Sequence, residues 1–491
     1  MNSADLKPIL VAGKWREGAG DAYATRYPAD DSVNAELRAA SVEDVEEAVK
    51  AADAAWRQRN WRDLKPHERA AVLSRISQLI RSRAEELAQL QRRDNGKPIS
   101  ETRALVASAA GTFQFYAAAC ETLEETLTPA RGDYLTMSVH EPLGVVAAIT
   151  PWNSPIASEA QKLAPALAAG NAVIVKPAEV TPLAALALGR LCEEAGVPKG
   201  VVSVLPGKGS IVGDALVRHP LVRKVSFTGG NATGRHIGRI AADKLMPVTL
   251  ELGGKSPIVV FDDAEIEHAV NGVLFGIFSS SGESCIAGSR LFVQSGIRER
   301  FLKALLEKTQ QLRVGDPADP STQMGPLITR EHRESIERYV QLGLQEGGRL
   351  LAGGKRPAGG LYDKGWFYKP TVIAGLDNRA RMCQEEIFGP VLAVLDFKDE
   401  EDLLGRANDT VFGLAAGLWT RDYKLAWCIA RRLEAGTVWI NTYKQFSIST
   451  PFTGAKQSGI GVEKGRLGIH QYQQQKSLYW GLNEKPLPWA D

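Results

Sequence analysis

At 491 residues the chain is too long for one hydrophobic core, and two or three domains are expected. Its 44% hydrophobic and 24% charged residues are those of an ordinary soluble globular protein. A net charge of +2 argues against nucleic-acid or membrane binding through bulk electrostatics. The opening MNSADLKPIL carries no secretory or transit pattern, and no apolar run reaches the ~18 residues of a membrane span. Five cysteines (Cys120, Cys192, Cys285, Cys383, Cys428) are odd in number, scattered and never spaced as CxxC. Disulfides and zinc are therefore not expected, and a cytoplasmic location is. The seven histidines form no HExxH or HxxxH pair, so no metal is expected either.

The first hundred residues read as helical. Ser41 and Asp44 make a capping box for EDVEEAVKAADAAW, and a second amphipathic stretch, HERAAVLSRISQLIRSRAEELAQL, ends at the turn Asp94-Asn95-Gly96. LTPARGDYLTMSVHEPLG then alternates like a hairpin. From Gly144 the texture changes to short β-branched runs, GVVAAIT, NAVIVKPA, VVSVLPG and KVSFTGG, each closed by Gly or Pro. Helical stretches lie between them, which predicts βαβ units and a parallel sheet covered on both faces. Such sheets bind ligands beyond the C-terminal ends of their strands. PVTLELGG and SPIVVF lead into a second α/β region, where Cys285 reads as lying near the N-terminal end of a helix-like entry. The tail QYQQQKSLYWGL can partner the hairpin, leaving edges for another subunit to cover.

Five stretches carry candidate chemistry. FTGGNATG, with Gly229, Gly230 and Gly234, is neither GxGxxG nor a P-loop; it is either a plain turn or a phosphate loop opening a helix. Glu179 lies just past the second strand with Lys176 three residues earlier, either as a solvated pair or as partners of a ribose. TPWNSP places Asn153 at a stiff turn, and ELGGKSP places Glu251 before two glycines. SSSGESCIAGSR isolates Cys285 among small residues. Singly, these are a turn former, an ion-pair partner and buried filler.

Together they resemble the NAD(P)-dependent aldehyde dehydrogenase superfamily over almost the whole chain. The matching motifs are PWN (Pro151 to Asn153), KPAE (Lys176 to Glu179), FTGG…G (Phe227 to Gly234) and ELGGK (Glu251 to Lys255). They continue with the GxxCxAGSR region (Gly282 to Arg290), EEIFGPV (Glu385 to Val391) and PFTGAKxSG (Pro451 to Gly459).

The resemblance implies an α/β fold with a Rossmann-like cofactor domain (1–123 and 144–253) and a catalytic domain (254–450). It also implies an oligomerisation element (124–143 and 471–491) and a return segment (451–470). The implied reaction is oxidation of an aldehyde to its acid with NAD and water, by a non-phosphorylating, hydrolytic enzyme. Cys285 is then the nucleophile, Asn153 an oxyanion donor and Glu251 the base that activates water. Lys162 and Glu463 occupy positions linked to proton movement. Cofactor contacts are implied for Thr150, Trp152, Lys176, Glu179, Gly213, Thr228, Gly229, Gly230, Gly234, Leu252, Glu386 and Phe388. Glu179 favours NAD over NADP, because its carboxylate repels a 2′-phosphate.

Two departures stand out. Glu283 replaces a common glutamine, and a carboxylate there is expected to raise the thiol pKa unless a cation offsets it. Gly230 replaces a serine in the phosphate turn. Aligned with the family, the substrate entrance holds Ser154, Ser158, Gln161, Ser284, Ile286, Lys444 and Phe446. These suggest an oxygenated or semialdehyde-type substrate whose acid group Lys444 meets; the alternative is solvent-facing side chains and broad selectivity. A coenzyme A-acylating dehydrogenase and a non-catalytic protein on the same scaffold are the rival functions. Glu251 argues against the first, and the trio Cys285, Glu251 and Asn153 against the second. Partners are a small aldehyde and further copies of the chain, as a homodimer or homotetramer.

Overall fold

A computed structural model describes residues 9–485 and 489. The outermost parts of the expected cofactor and oligomerisation regions, residues 1–8, 486–488 and 490–491, lie outside the described residues. The β-branched runs from Gly144 onward form five parallel strands: Val145–Ile149, Ala172–Lys176, Val202–Val204, Val222–Thr228 and Val248–Glu251. The first three strands are buried throughout, as expected for a sheet packed on both faces. One core lies against each face, the first built around Leu163, Leu167 and Leu188, the second around Val49, Val225 and Ile237.

The strand Val145–Ile149 sits at the centre, between Ala172–Lys176 and Val222–Thr228. The chain builds outward on one side, then crosses to the other. That reversal opens a crevice above the strand ends, where α/β sheets bind ligands. Antiparallel strands Ile9–Val11 and Lys14–Arg16 extend one edge, and Gly459–Ile460 closes the other against Val248–Glu251.

A second, seven-stranded sheet runs Arg349–Ala352, Thr371–Ala374, Val391–Phe397, Arg290–Gln294, Pro257–Val260, Ala415–Trp419 and Thr437–Ile440. All its pairings are parallel except the first. The hairpin is present as Thr126–Thr128 and Tyr134–Pro142, and the tail strand Gln473–Gly481 pairs along its full length with the latter. Among the described residues, no helix is long and apolar enough to cross a membrane.

The N-terminal reading needs correction. Ile9–Val11, Lys14–Arg16, Ala22–Arg26 and Val33–Arg38 are strands, not helix. They are three to six residues long, and they are specified by pairing with distant or neighbouring strands, which short-range pattern does not reveal. The capping box is present: Asp44 N–H donates to Ser41 Oγ at 3.2 Å, and Ser41 N–H to Asp44 Oδ2 at 2.8 Å. The second amphipathic stretch is two helices, Pro66–Ser82 and Ala84–Asn95, broken at Arg83. The latter ends at Gly96, whose φ of 73° a glycine adopts at little cost.

Candidate active site

Four of the five parallel strands of the first sheet deliver candidate groups from their C-terminal ends. After Ile149 the turn carries Thr150, Trp152 and Asn153, and Pro155 then starts a helix at a position where its missing N–H is harmless. Lys176 ends the next strand with Glu179 beyond it. Thr228 is followed by Gly229 and Gly230, which open the helix Asn231–Asp243. One cavity of about 1110 Å³ is lined by these residues and by Gly213, Leu252, Cys285, Glu386 and Phe388. Its size suits an extended ligand rather than a small metabolite. The helix N-terminus offers free N–H groups to a phosphate. Thr150 Oγ1, on the cavity wall, is buried with no hydrogen-bond partner. These residues fit a dinucleotide. Gly234 is set apart from them: it does not line the cavity, and a Cβ there would lie 2.5 Å from Leu252, so it sets helix against strand.

The ELGGK stretch joins the two sheets and explains its own glycines. A Cβ on Gly253 would lie 2.3 Å from the Glu386 carboxylate, and one on Gly254 would lie 2.4 Å from the Cys285 carbonyl oxygen. The Gly254 N–H donates to Glu386 Oε1 at 3.1 Å. Two missing side chains thus let Glu386 and Cys285 close on the end of the strand that bears Glu251. Lys255 and Arg290 brace the same junction. Lys255 Nζ donates to the Glu385 carbonyl at 2.7 Å, and Arg290 Nε to the Lys255 carbonyl at 2.9 Å.

Cys285 does not lie at a helix N-terminus. It follows the C-terminal end of the helix Ile266–Phe278 and the turn Ser279–Gly282, and the next element is the strand Arg290–Gln294. The small-residue run that suggested a helical entry is instead a turn with Ser280 and Ser281 in left-handed backbone, φ 57° and 54°. Glu101, from the helix Ile99–Glu121, holds it by accepting from Ser280 N–H at 2.7 Å and Ser280 Oγ at 2.9 Å. No helix dipole therefore helps the thiol. Burial first, then the Glu386 and Glu251 carboxylates, push it up to about 12, with Lys444 opposing. The resting thiol is neutral.

Glu283 has the offsetting cation on which its effect on the thiol is conditional. Its carboxylate turns to accept from Ile328 N–H at 2.8 Å and faces Lys97, which offsets the burial that pushes it up to about 8. The Glu283 carbonyl accepts from Asn153 Nδ2 at 3.1 Å, which orients that amide and leaves its second N–H available. Both oxygens of Glu251 are buried without a partner. Burial, then the neighbouring Glu463, holds its carboxyl well above the usual range, with Lys162 and Lys464 opposing. Beside it, Lys162 Nζ lies 2.5 Å from Glu463 Oε1, and Ser226 Oγ contacts both.

The expected entrance residues divide. Gln161 donates its amide to Glu463. Ile286 is packed into the core of the second sheet, and its carbonyl accepts from Tyr443. Ser154 donates to Asn153 Oδ1 at 3.4 Å, and Ser284 is half-buried beside Cys285. Lys444 donates to Ser279 Oγ at 2.8 Å, and Phe446 stands edge-on to Phe452 with centroids 5.6 Å apart. Two groups at the site escaped the sequence reading. His332 lines the cavity, edge-on to Trp152, and Lys464 sits over the Phe446 ring. No local motif marks either one.

This arrangement, a dinucleotide-sized crevice with a cysteine, a buried carboxyl and an oriented amide at one end, is that of a thiol-dependent oxidoreductase. The family model "Aldehyde dehydrogenase family" matches residues 15–478, and the chain belongs to that family. It is 44% identical over 454 residues to a betaine aldehyde dehydrogenase of Mesorhizobium japonicum, covering 92% of each chain. It is 42% identical over 445 residues to one of Bacillus subtilis, covering 90% of each. Among solved structures, a betaine aldehyde dehydrogenase of Staphylococcus aureus in complex with NAD+ superimposes with a TM-score of 0.97 at 37% identity, over 99% of this chain and 96% of that one.

Proposed function

We propose that the protein oxidises an oxygen-bearing aldehyde to its carboxylic acid with NAD and water. The observation that carries this reading is the convergence of Cys285, Asn153 and Glu386 on one dinucleotide-sized cavity, with Glu251 acting electrostatically on the same thiol. NAD, which Lys176 and Glu179 would hold at one ribose and Glu386 at the other, would accept the hydride whose loss from the former aldehyde carbon leaves the thioester. Cys285 attacks the aldehyde carbon as its thiolate, the thiol proton passing to water in the open cavity that it lines. The free N–H of Asn153 and the Cys285 backbone N–H stabilise the oxyanion, each such donor contributing roughly 10²–10³ in rate. Glu251 then takes a proton from the water that hydrolyses the thioester. Its elevated pKa makes it the stronger base for that step. The Lys162–Glu463 pair carries the proton onward.

Residues 1–123 and 144–253 serve as the cofactor domain in this reading, 254–450 as the catalytic domain and 451–470 as the return segment between them. Residues 124–143 and 471–491 join copies of the chain into a dimer or tetramer. The exposed Tyr479 and Trp480 on the tail strand favour such a contact. All five cysteines are free thiols, which favours a reducing cytoplasm. The small hydroxyls of Ser154, Ser158 and Ser284 favour an oxygenated substrate. The test is rapid-mix kinetics on Glu251→Gln, which should give a burst of about one NADH per site and then slow acid release. A first turnover slowed as much as later ones would move Glu251 from hydrolysis to thiol activation.

A further inference from the structure

Two lysines, one bonded to Ser279 and one lying over Phe446, have strained backbones. Lys444 has φ 54° and Lys464 φ 61° with ψ 175°. The latter is a conformation that only glycine adopts readily, and Gly465 follows immediately at φ 58°. A chain that needed only a bend at 464 is better served by glycine. The lysine side chain is therefore what the position supplies.

Both lysines are half-buried, and the Phe446 ring that Lys464 covers is itself exposed. Burial lowers Lys444 to about 7 and Lys464 to about 8; Glu101 favours the charged form of the first and Glu463 that of the second, and Cys285 interacts electrostatically with both. Lys464 Nζ lies 3.6 Å from the centroid of Phe446 and 5.5 Å from that of Phe452. Lys444 Nζ lies 5.9 Å from the centroid of Phe275. An aromatic pair of this kind is a ready cradle for a quaternary ammonium. Here it already holds the protein's own cation.

We infer that Lys464 and Lys444 form a two-cation wall that selects aldehydes bearing a carboxylate and turns away the quaternary ammonium aldehyde named in its relatives. This rests on the reading of the site as an aldehyde-oxidising one. A carboxylate adds an opposite charge to both lysines. A trimethylammonium group meets two like charges and finds its aromatic seat taken, and like-charge juxtaposition weakens binding strongly.

The experiment compares kcat/KM with NAD for succinic semialdehyde, butanal and betaine aldehyde, in the wild type and in Lys464→Gly, Lys464→Arg and Lys444→Met. The glycine variant relaxes the backbone, so a loss there does not come from misfolding. Wild type should prefer succinic semialdehyde over betaine aldehyde by about a hundredfold. Lys464→Gly and Lys444→Met should each lower the succinic semialdehyde to butanal ratio about tenfold, through KM, and Lys464→Arg should restore it. A wild type that prefers betaine aldehyde, or ratios that the variants leave unchanged, overturns the inference alone. Equal losses on all three aldehydes assign Lys464 to the chemistry at Glu251 and overturn it too. Failure to oxidise any of the three overturns the proposed function and this inference together.

Discussion

The two large sheets meet the active site from opposite ends. The first presents the C-terminal ends of its strands: Lys176 and Glu251 end a strand, and Asn153 and Gly229 follow one. This is the usual arrangement for parallel α/β sheets. The second presents N-terminal ends. Cys285 precedes the strand Arg290–Gln294, and Glu386 and Phe388 precede Val391–Phe397. The reason lies in one short crossing. The chain leaves the first sheet at Glu251 and enters the second at Pro257, so the exit edge of one is laid against the entry edge of the other. The cofactor crevice thus belongs to a general rule of sheet topology. The thiol is brought to it by turns and glycine contacts peculiar to this junction.

Four measurements can break or sharpen that division. The largest effect is expected for Cys285→Ala, since the second sheet supplies the nucleophile and the first holds the dinucleotide. Turnover should fall by at least about 10³-fold, with the dissociation constant for NAD, read by calorimetry, nearly unchanged. A variant retaining a tenth of wild-type turnover would remove Cys285 from the chemistry.

Next is Gly254→Ala. Its Cβ would meet the Cys285 carbonyl at 2.4 Å and push the sheets apart, and a displacement near 1 Å can lower the rate about 10²-fold. If kcat stays within about twofold, the close junction is not what aligns Cys285 with Glu251.

Glu179→Thr lies wholly in the first sheet's crevice and should leave the aldehyde chemistry alone. Wild type should favour NAD over NADP by roughly ten- to a hundredfold in kcat/KM, given the repulsion between a carboxylate and a 2′-phosphate. The variant should narrow that gap by improving NADP. An unchanged ratio would show that Glu179 does not meet the ribose.

The smallest effect concerns Glu386, which spans both regions. Burial pushes its carboxyl up to about 7, with Gly254 N–H and Lys255 opposing. The ionised form accepts hydrogen bonds from ribose hydroxyls, and the protonated form surrenders part of that capacity. Affinity for NAD should therefore be gained as pH rises through about 7, by up to about tenfold between pH 6 and 8. Glu386→Gln should flatten the profile; a wild-type profile as flat as the variant's would take Glu386 out of the cofactor contacts.

The local pattern sufficed for the parts that repeat at short range. Alternating β-branched runs and helical stretches specified the parallel sheet, because three of its strands are buried throughout and their composition shows it. The motif residues marked the crevice and the thiol, because their spacing is carried by strand ends and short turns. What lay outside the reach of pattern was decided by contacts between distant segments. The N-terminal strands exist through pairing, not propensity. Cys285 sits after a helix rather than before one because Glu101, far back in the chain, holds the left-handed serines. Glu283 turns away from the thiol because Ile328 and Lys97 offer its carboxylate partners. Lys464 reaches the site only because the return segment folds its strained backbone over Phe446 and Phe452. Sequence period reports what a residue buries, whereas charge neighbours and backbone strain are set by which segments the tertiary fold brings together.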